Sequence, residues 1–369
     1  MAGSSFGTIL RVTTFGESHG PAIGAVLDGF PAGMPLCEGD IQAYLDRRKP
    51  GQSAVTTQRK ESDTVEILSG VFEGRTTGTP ISLLIRNADQ HSKDYGNIAD
   101  TYRPGHADFT FDQKYGFRDY RGGGRSSGRE TACRVAAGAI AEKFLKDVLG
   151  IDLCFYTKSI GDVEMDPANF DRSLILSTPT GMPDAEANEK AMALVEACRM
   201  KLDSVGGVVE GRIAGVPAGI GDTVFEKLDA RLAHALFSIG AVKEVGIGDG
   251  AAVSRRRGSE NNDDFYLADS GSVEKRSNHA GGILGGMSDG SDIVVRAYFK
   301  PTPSIAQPQE TITRDGKSTM LEIHGRHDPV IVPRAIVVCE TMCALTLLDA
   351  MLVNMSARAD SVARFYQRS

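Results

Sequence analysis

The chain has 369 residues, 48 acidic against 41 basic side chains for a formal charge of −7, and 41% hydrophobic residues. That balance suits a globular protein with a large core and argues against a general affinity for nucleic acid or membrane surfaces. Glycine is in excess at 42 positions, gathered in non-repeating motifs of the kind that bring backbone close to a ligand.

The first element in chain order is a short strand in which Val12 and Phe15 alternate with threonines, and Gly16 and Gly20 bracket Glu17, Ser18 and His19 at its end. His19 either faces a ligand there or decorates a turn. Helical periodicity follows over 38–48 and ends in Arg47-Arg48-Lys49-Pro50-Gly51, where the helix dipole alone would favour cations. Strand patterns occupy 64–68 and 81–85.

Charge then changes sign locally. From Arg103 to Arg134, six Arg and one Lys oppose three Asp and one Glu, a net of +3, and a basic pocket in an acidic chain suits a small polyanion. Within it, Arg103-Pro104-Gly105-His106-Ala107-Asp108 sets an imidazole beside a guanidinium on a fixed turn, suited to protonating an anionic leaving group, or else forms an ordinary ion-paired loop. Next come Gly122, Gly123 and Gly124, then Arg125, Ser126, Ser127 and Arg129 at the start of a helix over 129–149. Exposed backbone N–H groups, hydroxyls and a helix start together predict an anion site. The spacing of Ser127 and Glu130 predicts a capping box, with the helix beginning near Ser127. An RNA-binding RGG segment is the competing reading; the acidic, structured context and the absence of Trp disfavour it.

The stretch 150–185 reads as a linker between halves or as a surface excursion. Helices are expected at 185–202 and 222–239, and strands at 208–213, 293–299 and 320–323. Gly246 to Gly250 approaches a dinucleotide fingerprint, but SRRRGSENND follows it where an amphipathic helix is needed. Ser277 to Gly286 places glycine pairs around Ile283 and Leu284 and would let a flat ligand lie against backbone. Lys300-Pro301-Thr302-Pro303-Ser304 offers a cation and hydroxyls on a stiff loop, and Gly325-Arg326-His327-Asp328-Pro329 adds base, cation and carboxylate. The apolar segment 335–353, broken by Glu340 and Asp349, reads as a buried helix, with Cys339 and Cys343 as core thiols. The six cysteines form no CxxC pair, no metal site is expected, and MAGSSFGTIL lacks leader features, so the expected location is cytoplasmic. With no regular strand–helix alternation, the expected fold is α+β, layered, with mainly antiparallel sheets.

The runs TFGESHG (14–20), LDRRKPG (45–51), RPGHAD (103–108), DYRGGGRSSGRETA (119–132), SNHAGGILGG (277–286), KPTPS (300–304) and GRHDP (325–329) resemble those of chorismate synthases over nearly the whole chain. The resemblance implies a β-α-β sandwich forming one domain over 1–369, assembled as a homotetramer. It implies 1,4-anti elimination of phosphate from 5-enolpyruvylshikimate 3-phosphate to give chorismate, with reduced FMN as cofactor. In that family's terms His19 donates a proton to the flavin, His106 protonates the departing phosphate and Asp328 assists proton removal. Arg48, Arg103 and Arg129 match substrate contacts. Arg125, Ser126, Ser127, Gly240, Ala241, Gly285, Lys300, Pro301, Thr302, Pro303, Ser304 and Arg326 match FMN contacts. Ala54 stands where many relatives carry Arg, Gly240-Ala241 where Asn is frequent, and Pro303 where Ser is common. The chain has no length for a fused flavin reductase, so an external one is implied. A flavin- or phosphate-binding regulatory protein on the same scaffold is the alternative.

Overall fold

Alternating burial builds two antiparallel sheets from distant parts of the chain in this computed structural model, which describes residues 3–49, 62–87, 99–323 and 328–367. The first has the spatial order Ser5–Phe6, Arg11–Gly16, Ala22–Asp28, Ile81–Arg86, Val65–Ile67. The second runs Val242–Ile247, Ile293–Phe299, Gly207–Ala214, Asp152–Ile160, Val163–Glu164. Every pairing within both is antiparallel. In Ile293–Phe299 every second residue is buried, the period of a strand with one face on the core.

Helices fill the space between the sheets. Glu38–Arg48 and Thr131–Leu149 pack on the first sheet, Val332–Asn354 and Leu228–Phe237 on the second, and Thr131–Leu149 lies against Val332–Asn354. Gly138 permits that last contact, since a Cβ there would stand 2.5 Å from the Thr341 carbonyl oxygen. One cluster of buried apolar side chains runs from Leu10 to Ala350 through both sheets and these helices. The layered α+β arrangement is the one expected.

The two charges that interrupt the apolar helix have specific partners. Buried Asp349 accepts the backbone N–H groups of Thr8, Ile9 and Leu10, each at 2.8 Å, and pairs with Arg231. It thereby anchors the segment leading into the Arg11–Gly16 strand. Glu340 receives the guanidinium of Arg47.

Several boundaries differ from expectation. The first part of 150–185 is no linker, because Asp152–Ile160 pairs with Gly207–Ala214 inside the second sheet. The helix expected at 222–239 begins only at Leu228, because Gly221 and Val224 hold φ of +116° and +59°, which a right-handed helix excludes. The 185–202 helix ends at Met200, with Leu202 left-handed at +58°. The strand expected at 320–323 is Ser318–Leu321, paired with Gln309–Ile312. The capping box does not close. Ser127 Oγ accepts Arg129 N at 3.2 Å, but Glu130 turns away to Thr14 Oγ1 (2.8 Å) and Arg134 Nε (2.7 Å), and a 3-10 turn precedes the helix at Thr131.

Candidate active site

The glycine-rich motifs meet at the end of the Arg11–Gly16 strand. A Cβ on Gly122, whose φ is +81°, would lie 2.6 Å from His19 Cε1, and one on Gly124 would lie 2.7 Å from Glu17 Oε2. Glycine at both places lets the RGGG loop press directly on the Glu17–Ser18–His19 turn. Ser18 Oγ stands 3.2 Å from His19 Nδ1. Burial raises the Glu17 carboxyl above its usual range, with nearby Arg125 opposing the shift. The Arg125 guanidinium fixes the loop to the strand by donating to the carbonyls of Gly16 (3.3 Å) and Thr14 (3.2 Å) and to Thr14 Oγ1 (2.6 Å). Ser126 Oγ donates to Gly123 O at 2.7 Å.

The second histidine lies on another contact between motifs. His106 Nδ1 is 3.0 Å from Pro104 O, and Nε2 is 2.9 Å from Ser304 Oγ. A carbonyl only accepts, so the proton of the neutral ring resides on Nδ1 and Nε2 is left to exchange protons. Burial lowers the His106 pKa, and the charges of Arg103 and Lys300 lower it further. Lys300 Nζ donates to Gly105 O at 2.8 Å; its own pKa is lowered by burial and by Lys243. Pro303 sits beneath Gly105, where a Cβ would lie 2.7 Å from the proline Cβ. Lys300 N donates to Ala241 O (3.0 Å), so Gly240 and Ala241 adjoin the same loop.

The arginines cluster around carboxylates. Arg48 and Arg129 converge on Asp63, all three buried. Arg48 Nη1 also donates to Arg129 O at 3.3 Å, and Arg334 joins Arg48 O (3.0 Å) to the Asp328 carboxylate. Among the described residues, Arg48 and Arg129 thus meet Asp63, and Arg334 meets Asp328. Arg103 is held by Asp108 through Nε (2.8 Å) and Nη2 (2.7 Å) while Nη2 reaches Gly122 O at 3.0 Å.

These contacts close into a ring. From His106 the path passes through Ser304 and its loop to Ser204, whose Oγ donates to Thr302 O (2.7 Å), and then through Val205 N to Pro329 O (2.9 Å). Asp328, Arg334, Arg48, Asp63 and Arg129 follow, then Asn87, which touches the His19 turn. His19 backs on Gly122, Gly122 O binds Arg103, and Arg103 O receives His106 N at 3.3 Å. His19, His106 and Asp328 therefore stand on one perimeter.

Other expectations fall elsewhere. Gly285 sits in the Ile283–Leu284 and Met287–Ser288 hairpin, which contacts the start of the Leu228–Phe237 helix through Gly286 O. Within Ser277 to Gly286, Gly281 permits a backbone-to-backbone contact, since a Cβ there would lie 2.3 Å from Gly248 N, whereas a Cβ on Gly285 would meet only Met287 Cε at 4.0 Å. Arg326 and Ala54 lie outside the described residues. Arg47, Arg48 and Lys49 point to different partners, Glu340, Asp63 and Asp46. A cavity of about 230 Å³ lined by Tyr44, Arg47, Glu142, Arg172 and Glu340 opens on the Arg47 side and includes none of the ring residues. Asp63, Asn87 and Arg334 escaped the sequence reading. Asp63 precedes the Val65–Ile67 strand and Asn87 follows the Ile81–Arg86 strand, and neither belongs to a recognised motif.

The chorismate synthase family model matches residues 10–352. A chorismate synthase of Agathobacter rectalis is 58% identical over 368 residues, covering 100% of both chains. One from Methanocella arvoryzae is 56% identical over 355 residues, covering 95% of each. A solved structure described as a crystal structure of chorismate synthase superposes with a TM-score of 0.75 at 33% identity, over 98% of this chain and 97% of that one. A matched family model, full-length relatives and the shared fold together place this chain in the chorismate synthase family.

Proposed function

We propose that this enzyme is a carbon–oxygen lyase that eliminates phosphate from 5-enolpyruvylshikimate 3-phosphate to give chorismate, the last common step of the shikimate pathway, with reduced FMN as cofactor. The observation that supports the reading is the path of contacts that links His19, His106 and Asp328, with Arg103, Arg129, Arg48 and Arg334 along it.

The residues present fit an anionic flavin. Lys300 meets a carbonyl and a second lysine's field; among the described residues Thr302 Oγ1 is buried without a hydrogen-bond partner and a Cβ at Gly240 would meet open space. Lys300 through Ser304, with Ser126, Ser127, Gly240 and Ala241, would hold it. When bound, reduced flavin supplies electron density that helps the phosphate depart and then recovers it.

The protein's own groups do the rest. Arg48, Arg103 and Arg129 set the field for a substrate with one phosphate and two carboxylates. An anion beside Arg103 and Lys300 opposes the charges that depress His106, so the loaded site gains a proton at Nε2 to give to the leaving phosphate. His19 holds a second proton against Gly122. Asp328, oriented by Arg334, takes part in proton removal. We place the enzyme in the cytoplasm, as a homotetramer supplied with reduced flavin by a separate reductase.

The test is anaerobic. Purified protein, chemically reduced FMN and 5-enolpyruvylshikimate 3-phosphate should release chorismate and phosphate in equal amounts, and oxidised flavin should stop both. Release of neither with flavin bound would overturn the reading in favour of a regulatory binding protein. Replacing reduced FMN by oxidised FMN with NADPH should give no product, in keeping with an external reductase.

A further inference from the structure

Asn87 follows the Ile81–Arg86 strand, and its backbone already closes the strand end by donating from N to Pro21 O at 3.1 Å. The side chain is therefore not needed for the sheet. Its carboxamide reaches three other groups: Nδ2 donates to the carbonyls of Glu17 (3.0 Å) and Gly20 (2.8 Å), and Oδ1 accepts from Arg129 Nε (2.9 Å). Chemistry fixes the amide orientation, because both carbonyls only accept and the guanidinium only donates.

The two carbonyls bracket Ser18 and His19, and the turn is closed again by Gly20 N donating to Glu17 O at 3.0 Å. Gly122 lies directly against the imidazole. The turn is therefore bounded by Gly122 at the imidazole and held by Asn87 at its flanking carbonyls. Beyond Asn87, Arg129 continues to Asp63, which also meets Arg48, and Arg48 connects through Arg334 to Asp328. One neutral side chain thus joins the His19 turn to the arginine cluster, and it adds no charge to a site that must receive anions.

We propose that Asn87 is a positioning residue that keeps the His19 turn in register with the Arg129–Asp63–Arg48 cluster. Its consequence for turnover rests on the reaction proposed above; its consequence for the turn does not. Replacement by aspartate separates the two links, because a carboxylate still accepts from Arg129 but sets an oxygen against two carbonyls. Replacement by alanine removes both links.

The experiment compares wild type, N87D and N87A as ligand-free full-length protein by amide hydrogen exchange and mass spectrometry. Both variants should exchange about tenfold faster or more at residues 18–20, the effect of losing hydrogen bonds worth about 1 kcal/mol each, with the Ile293–Phe299 strand unchanged. In turnover, N87D should lose about 10- to 100-fold in kcat, the scale of a displaced reacting group, with KM within about threefold because Arg129 remains held. N87A should lose kcat and also raise KM. Unchanged exchange in the turn would overturn the proposal. So would faster exchange spread through both sheets, which makes Asn87 a brace for the fold, or a purely KM effect in N87D. If wild type itself produces no chorismate, the proposed reaction falls while the exchange comparison still decides the role of Asn87.

Discussion

The two histidines are held by different partners. His19 lies against a glycine without a side chain, with Nδ1 3.2 Å from Ser18 Oγ, and the carbonyls flanking its turn are gripped by Asn87. His106 is placed by its own ring nitrogens, Nδ1 against a carbonyl and Nε2 against a hydroxyl, and burial together with the charges of Arg103 and Lys300 lowers its pKa. A residue positioned by packing tolerates changes in charge and fails on added volume; one positioned by hydrogen bonds and field should show the reverse.

The largest effect should come from removing the imidazole that exchanges protons. His106→Ala is expected to lower kcat by about 10²- to 10⁴-fold, the usual range for a general acid, while substrate still binds. Near-normal turnover would take His106 out of the chemistry. On the other side, Gly122→Ala adds a methyl 2.6 Å from His19 Cε1 at a φ of +81°. It should cost about 100-fold in kcat by displacing the ring roughly an ångström, with retained folding judged by thermal unfolding. A smaller loss than for His106→Ala but far above that of any neutral surface change would support steric placement.

A third effect sharpens the contrast in sign. Without ligand the His106 pKa lies below the ordinary 6.5 because of burial and Arg103. A bound divalent anion raises it, so binding takes up a proton. Affinity for sulfate, whose charge is constant over this range, should be flat above the raised pKa and increase as pH falls toward the depressed one. The slope is at most about tenfold per pH unit for one linked proton. Isothermal titration at several pH values measures it, and the slope should vanish in His106→Gln. An equal slope in that variant would assign the proton elsewhere.

What the sequence disclosed follows the same division. Helix Glu38–Arg48 and strand Ile293–Phe299 lie where periodicity put them, because local apolar spacing decides one-sided burial. The motif residues were legible because unusual types crowd together. Asp63 and Asn87 were not. Each is an ordinary polar residue near a strand end whose meaning comes from Arg129, 66 and 42 positions away. The Ser127 capping box failed for a related reason: Glu130 finds a partner in Thr14, 116 positions back, a competition that no local pattern contains. Gly281 and Gly248 allow backbone to meet backbone, a long-range contact that no local pattern contains.

The smallest effect separates holding from reacting at His106. Ser304 Oγ touches Nε2, the nitrogen left to carry the proton, whereas Pro104 O fixes the other. Ser304→Ala removes a single neutral hydrogen bond, worth about 0.5–1.5 kcal/mol, so kcat should fall by only about 2- to 12-fold if the hydroxyl merely steadies the ring. In that case Pro104 still dictates the tautomer, and the pH–rate profile should keep its shape with a lower plateau. A loss approaching that of His106→Ala would instead make the hydroxyl an obligatory stop for the proton between Nε2 and the phosphate. Ser304→Thr, which retains an Oγ at the same position, should then recover most of the rate.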